Sequence, residues 1–114
     1  MGQYEEMKGK YVQRRQYNKL VRDKIPEYLE SKGVEYKIHI ANEEEYWQKL
    51  KEKLKEEAEE FSEESEEDAL ADMLEIIDAI CDYKGIDKKK LTSMKQKKSS
   101  KRGGFTKRII LEES

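Results

Sequence analysis

Hydrophobic and polar residues alternate along this chain in two different periods, and the changes of period mark where elements begin and end. Residues 1–16 follow neither period and read as a flexible or appended arm, so the folded domain is expected to span 17–114. Pro26 suits a first helical turn, where its missing N–H would be unpaired anyway, and Gly33 suits the left-handed position just beyond a helix end. Together they predict a short helix over about 25–32. Val34, Tyr36, Ile38 and Ile40 then alternate with Glu35, Lys37 and His39, the period of a half-buried strand. Helical period returns after Asn42, a cap with Glu45 three residues on, which predicts a helix from 43 to about 61. A short turn at 62–65 leads to a second long helix over about 66–84, ended by Gly85, and Asp87 caps a third that reaches about 98. Arg102, Gly103 and Gly104 break that helix, and the β-branched content of 105–111 predicts a second strand that pairs with the first. The expected fold is a mainly α antiparallel helical bundle with a small two-stranded β element.

Charge sets this chain apart from an ordinary bundle. Of its 114 residues 44% are charged and only 35% apolar, so one copy has a thin core to set against chain entropy, and a homodimer or homotetramer is expected. The net charge of −2 hides a segregation: 13 acids and no Lys or Arg lie between Glu56 and Asp82, followed by 11 basic residues and one acid between Tyr83 and Leu111. A polyanion drawn to the second block would be repelled by the first, which argues against nucleic acid as a partner. No apolar run approaches the roughly 20 residues of a membrane span and no signal-peptide pattern is present, so a cytoplasmic protein without membrane contact is expected. One cysteine, Cys81, and one histidine, His39, leave zinc sites and histidine-based triads without parts. Chemistry is left to carboxylates, lysines and arginines.

On a helical wheel, Tyr46, Trp47, Leu50, Leu54 and Phe61 form the buried stripe of the first long helix, with Glu57 inside the stripe and Glu60 on its rim. Glu56, Glu59, Glu63 and Glu64 fit the solvated face of a Glu-rich helix. Glu57 does not, because a carboxylate among apolar side chains is costly to desolvate unless a cation or donors compensate it. On the second long helix Asp68, Asp72 and Glu75 share one edge, with Asp72 nearest the apolar border. Antiparallel packing through the two stripes would bring Glu57 and Glu60 toward Asp72 and Glu75. Four converging acids repel one another unless a divalent cation sits among them, and hard oxygen donors favour Mg²⁺, or Mn²⁺ and Ca²⁺, over Zn²⁺. Such an ion keeps open positions for substrate phosphates, so one reading is a metal-dependent phosphohydrolase. The other is an acidic bundle surface that merely faces the basic block.

Lys19 and Arg22, interleaved with Leu20 and Val21, suit a phosphate clamp as well as they suit surface charge. Lys98 and Arg102 lie close to Gly103 and Gly104, whose missing side chains allow a ligand near the backbone, and an arginine there can grip phosphate with two parallel bonds.

Four segments in order become informative together: Y-N-K-L-V-R-D-K-I-P at 17–26, L-K-E-E-A-E-E-F at 54–61, A-D-M-L-E-I-I at 71–77 and R-G-G-F at 102–105. They resemble the MazG-like, phosphoribosyl-ATP pyrophosphohydrolase-like branch of the all-α nucleoside triphosphate pyrophosphatases, over about 17–111. The resemblance implies Mg²⁺-dependent hydrolysis of a nucleotide between its α and β phosphates, releasing a monophosphate and pyrophosphate, by dimers or tetramers of helical pairs. The family's Glu-Glu-x-x-Glu motif falls on Glu56, Glu57 and Glu60. Its Glu-x-x-Asp motif falls on Ala69 and Asp72, so one carboxylate is missing, with Asp68 or Glu75 as the substitutes at hand. On this reading Glu56, Glu57, Glu60 and Asp72 are catalytic, and Glu57, Glu60, Asp72 and Glu75 hold Mg²⁺ or Mn²⁺. Lys19, Arg22, Lys98 and Arg102 would bind the substrate phosphates. The alternatives are hydrolysis of phosphoribosyl-ATP itself, or a catalytically silent helical interaction module, for which Ala69 is the argument.

Overall fold

The computed structural model describes residues 18–114; the arm at 1–16 and Tyr17 lie outside the described residues. Among the described residues four helices follow one another: α1 (Ile25–Ser31), α2 (Glu43–Glu64), α3 (Glu67–Lys84) and α4 (Lys88–Arg102). None is long and apolar enough to cross a membrane. The chain divides into a first compact unit that ends at Ile80 and a second that begins at Cys81.

Local chemistry sets the helix ends. Pro26 lies in the first turn of α1, and Ile25 and Leu29 form its buried face, packed by Val21, Tyr28 and Val34. Beyond the helix Gly33 takes φ 69°, its N–H donates to the Glu30 carbonyl, and Val34 N–H reaches back to the Leu29 carbonyl at 3.0 Å. This pair of bonds satisfies carbonyls the helix leaves open, and Val34 covers Leu29 as part of the same motif. The end of α3 repeats the arrangement: Gly85 has φ 68°, and Ile86 N–H donates to the Cys81 carbonyl at 2.8 Å. Side-chain oxygens close the opposite ends, with Asn42 accepting from Glu45 N–H and Asp87 from Lys89 N–H, each at 2.9 Å.

Two helices, α2 and α4, run further than the sequence suggests, while α3 keeps its expected bounds to within one residue. α2 continues through 62–64, with the Ser62 hydroxyl donating back to the Ala58 carbonyl within the helix, and it stops at Ser65, which adopts the left-handed conformation. Only Ser65 and Glu66 separate α2 from α3. The chain therefore doubles back, and residues before and after this break face each other across an antiparallel helical pair. Leu50 of α2 and Ala69 and Ile76 of α3 are buried there. α4 extends to Arg102, with Lys101 and Arg102 at its C-terminal end where the helix dipole favours cations.

The expected two-stranded element is absent among the described residues, and this corrects the sequence reading. Residues 34–40 carry no strand pairing, Ile38 and Ile40 stay largely exposed, and His39 is drawn instead to Glu45 at 2.8 Å. Residues 105–111 open with a turn, in which Arg108 N–H donates to the Phe105 carbonyl and Arg108 takes φ 59°. Alternation and β-branching describe fitness for a half-buried sheet surface, and they make a strand only where a partner supplies the hydrogen bonds.

The left-handed stop after α1 is open to test. A Cβ at Gly33 would meet nothing within 4 Å, so Gly33→Ala pays only the backbone penalty of positive φ. The substitution is expected to lower unfolding stability by about 1 kcal/mol in urea titration, and a neutral result would show that this stop does not hold in solution.

Candidate functional site

The site is built on Glu57. The helical period of α2 turns this side chain inward, where it is 2% exposed, and its Oε2 has no hydrogen-bond partner. It is the one buried charged residue among those described. Glu56 and Glu60 flank it, and one carboxylate oxygen from each of the three lies within 4.8 Å of the others. Burial first, then the negative charges of Glu60 and Asp72 and a hydrogen bond with Glu60, push the Glu57 carboxyl up to about 8, against the opposing pull of Lys53. Near neutral pH Glu57 therefore keeps its proton.

Asp72 reaches the site from α3, its side chain 16% exposed. It shares with Glu60, Glu64, Glu66, Asp68 and Ala69 a small cleft of about 60 Å³ beside the α2–α3 break. Ala69 is buried at this cleft and puts a methyl group on its wall.

Three cations face these acids. Lys19 Nζ donates to Glu56 Oε1 at 2.5 Å, and Arg22 Nη2 donates to Asp72 Oδ1 at 2.7 Å. The short segment before α1 is thus fastened to both long helices at the acidic cluster. Lys53 Nζ lies 3.9 Å from Glu56 Oε2 and the same distance from Glu57 Oε1. The sequence reading missed Lys53, although its spacing of three and four residues from the two glutamates, on one helix face, was the available signal. Of the other residues singled out, Glu75 is exposed and is not among the acids that act on Glu57. Lys98 and Arg102 are exposed on α4, in the second unit.

Such a donor set fits a small hard cation. It offers carboxylate oxygens alone, one of them buried and unpartnered, in a place where added positive charge would oppose the burial and the repulsion that keep Glu57 protonated.

The raised carboxyl has a sign that can be measured. Glu57 holds its proton to about 8 in the folded chain against an ordinary value of 4.5. The folded state thus binds more protons between these limits, and the metal-free protein loses stability as pH rises through the interval. Glu57→Gln, which keeps the shape without the charge, is expected to lack this part of the slope. It should exceed the parent at pH 8 by on the order of a few kcal/mol in urea unfolding. The same slope in both proteins would contradict the assignment. Comparison with family models, curated proteins and solved structures brings no match, so the functional reading stands on these residues and their geometry.

Proposed function

We propose that this chain is a Mg²⁺-dependent nucleotide pyrophosphohydrolase of the MazG-like type, cleaving a nucleoside triphosphate or related nucleotide between its α and β phosphates. The reading rests chiefly on Glu57: a buried carboxyl with an orphaned oxygen, held between two further acids of its own helix and facing Asp72. A glutamate kept there for packing alone would be better replaced by a leucine or glutamine. The four family-like segments supply the reaction type.

Glu57, Glu60 and Asp72 would hold the cation, with Glu57 in its ionised form. When bound, Mg²⁺, or Mn²⁺ in its place, would supply positive charge to the phosphate oxygens. Glu56 is more accessible than Glu57, its side chain 28% exposed, and it orients the attacking water and accepts its proton. The water oxygen bonds to phosphorus as the bond to the bridging oxygen breaks, and monophosphate and pyrophosphate leave. Lys19 and Arg22, which pair with Glu56 and Asp72, turn to the phosphate oxygens when substrate arrives, and this frees Glu56 for the water. A cytoplasmic homodimer or homotetramer belongs to the same proposal.

Glu57→Gln and Asp72→Asn are each expected to reduce metal-dependent pyrophosphate release by about a hundredfold or more while leaving the helical circular dichroism intact. Unchanged turnover in both would remove the site. A panel of ordinary and modified nucleoside triphosphates, with phosphoribosyl-ATP included, identifies the substrate. Absence of saturable Mg²⁺ binding, with and without nucleotide, would instead favour the silent interaction module.

Restoring the absent acid gives a second check. Ala69→Glu adds a carboxylate to the cleft wall beside Glu60 and Asp72, and calorimetric titration is expected to show Mg²⁺ bound several-fold more tightly. Weaker binding would mean that the ion sits elsewhere.

A further inference from the structure

Two ion pairs at the acidic cluster come from one short segment of the first unit. Residues 18–22 belong to no helix or strand. From them Lys19 Nζ donates to Glu56 Oε1 on α2, and Arg22 Nη2 donates to Asp72 Oδ1 on α3. The segment is thereby tied to both long helices beside Glu57, whose buried Oε2 has no hydrogen-bond partner.

An ion pair and a cation–carboxylate bond draw on the same oxygens. Glu56 meets Lys19 through Oε1 and Lys53 through Oε2, and Asp72 gives Oδ1 to Arg22. Positive charge therefore already stands against acids that a divalent ion would use, and like charges at such range repel. The three cations differ in how firmly they are placed. Lys53 belongs to α2, three and four residues before Glu56 and Glu57, and its side chain is 13% exposed. It stays with them. Lys19 and Arg22 stand outside any helix with side chains 26% and 43% exposed, and pairs this accessible to water hold weakly.

We propose that residues 18–22 form a counter-ion strap: in the metal-free protein Lys19 and Arg22 hold Glu56 and Asp72, and the strap lifts when a divalent cation binds there. The inference rests on the reading of Glu57, Glu60 and Asp72 as a cation site, and it adds how that site is regulated. A divalent ion carries twice the charge of either side chain and takes several oxygens at once, which lets it displace them. Its apparent affinity is lowered by the fraction of chains in which the strap is down. Phosphate groups that take up Lys19 and Arg22 favour the same lifted state, so cation and nucleotide bind better together than apart.

The test titrates the full chain with Mg²⁺ alone in a calorimeter and follows amide hydrogen exchange of peptides covering 18–24. Lys19→Gln combined with Arg22→Gln is expected to tighten Mg²⁺ binding by about threefold to tenfold. Arg22→Lys, which keeps the charge, should stay near the parent. So should Lys24→Gln, which removes one charge from the same stretch without touching either pair. In the parent, saturating Mg²⁺ should speed exchange over 18–24 while helicity by circular dichroism is unchanged. If the parent binds Mg²⁺ but the double variant binds it no more tightly, or exchange over 18–24 does not rise, the strap is overturned and the cation site stands. An equal gain in Lys24→Gln would also overturn it, because general charge would then account for the effect. Absence of saturable Mg²⁺ binding in parent and double variant alike would remove the site and the strap together.

Discussion

The structure turns on the burial of one carboxyl group between two helices. Removing Glu57 from water disfavours its charged form, and the neighbouring acids disfavour it further, so the folded chain resolves the conflict by keeping the proton. That solution still leaves Oε2 without a partner. An unmet buried oxygen carries a free-energy cost that evolution readily removes with an apolar residue, unless the oxygen serves another purpose. The acidity of the surrounding helix ends and the clasp of the N-terminal segment both acquire meaning from this point.

Lys19 and Arg22 join residues 37 and 50 positions away. Each pair is partly exposed, and pairs of that kind contribute little stability. Their importance is positional: they bring the segment ahead of α1 to the acids of both long helices. With Lys53, which lies 3.9 Å from both Glu56 and Glu57, they set three cations beside the acids of the cluster. A cluster balanced in this way tolerates close approach of its acids, and it changes balance as soon as a new cation or a new anion enters.

Helix ends were legible in the sequence because their chemistry is local. Asn42, Asp87, Gly33 and Gly85 act on groups within a few residues, and each does so in the structure. The inward turn of Glu57 was legible for a similar reason, since a helical wheel needs only one element. Glu75 marks the limit of that device: it lies one step further from the apolar border than Asp72 and meets solvent. Strands failed because alternation at 34–40 and β-branching at 105–111 name no partner. The partners of Lys19 and Arg22 were hidden for the same reason, as only folding in three dimensions brings them to Glu56 and Asp72.

A thin core gives occupancy of the site more weight than it would have in a larger protein. Among the described residues of the first unit the buried apolar ones are Ile25, Leu29, Leu50, Ala69 and Ile76, and each large side chain among them, at roughly 1.5–3 kcal/mol, matters to the whole. A ligand that binds only the folded chain adds about 2.7 kcal/mol at one hundred times its dissociation constant, the equivalent of one more buried side chain. Binding a cation at Glu57 would also remove the electrostatic conflict that opposes folding as pH rises. Site and fold would then share one source of stability, and the residue that weakens the metal-free chain as pH rises would be the one through which a bound ion strengthens it.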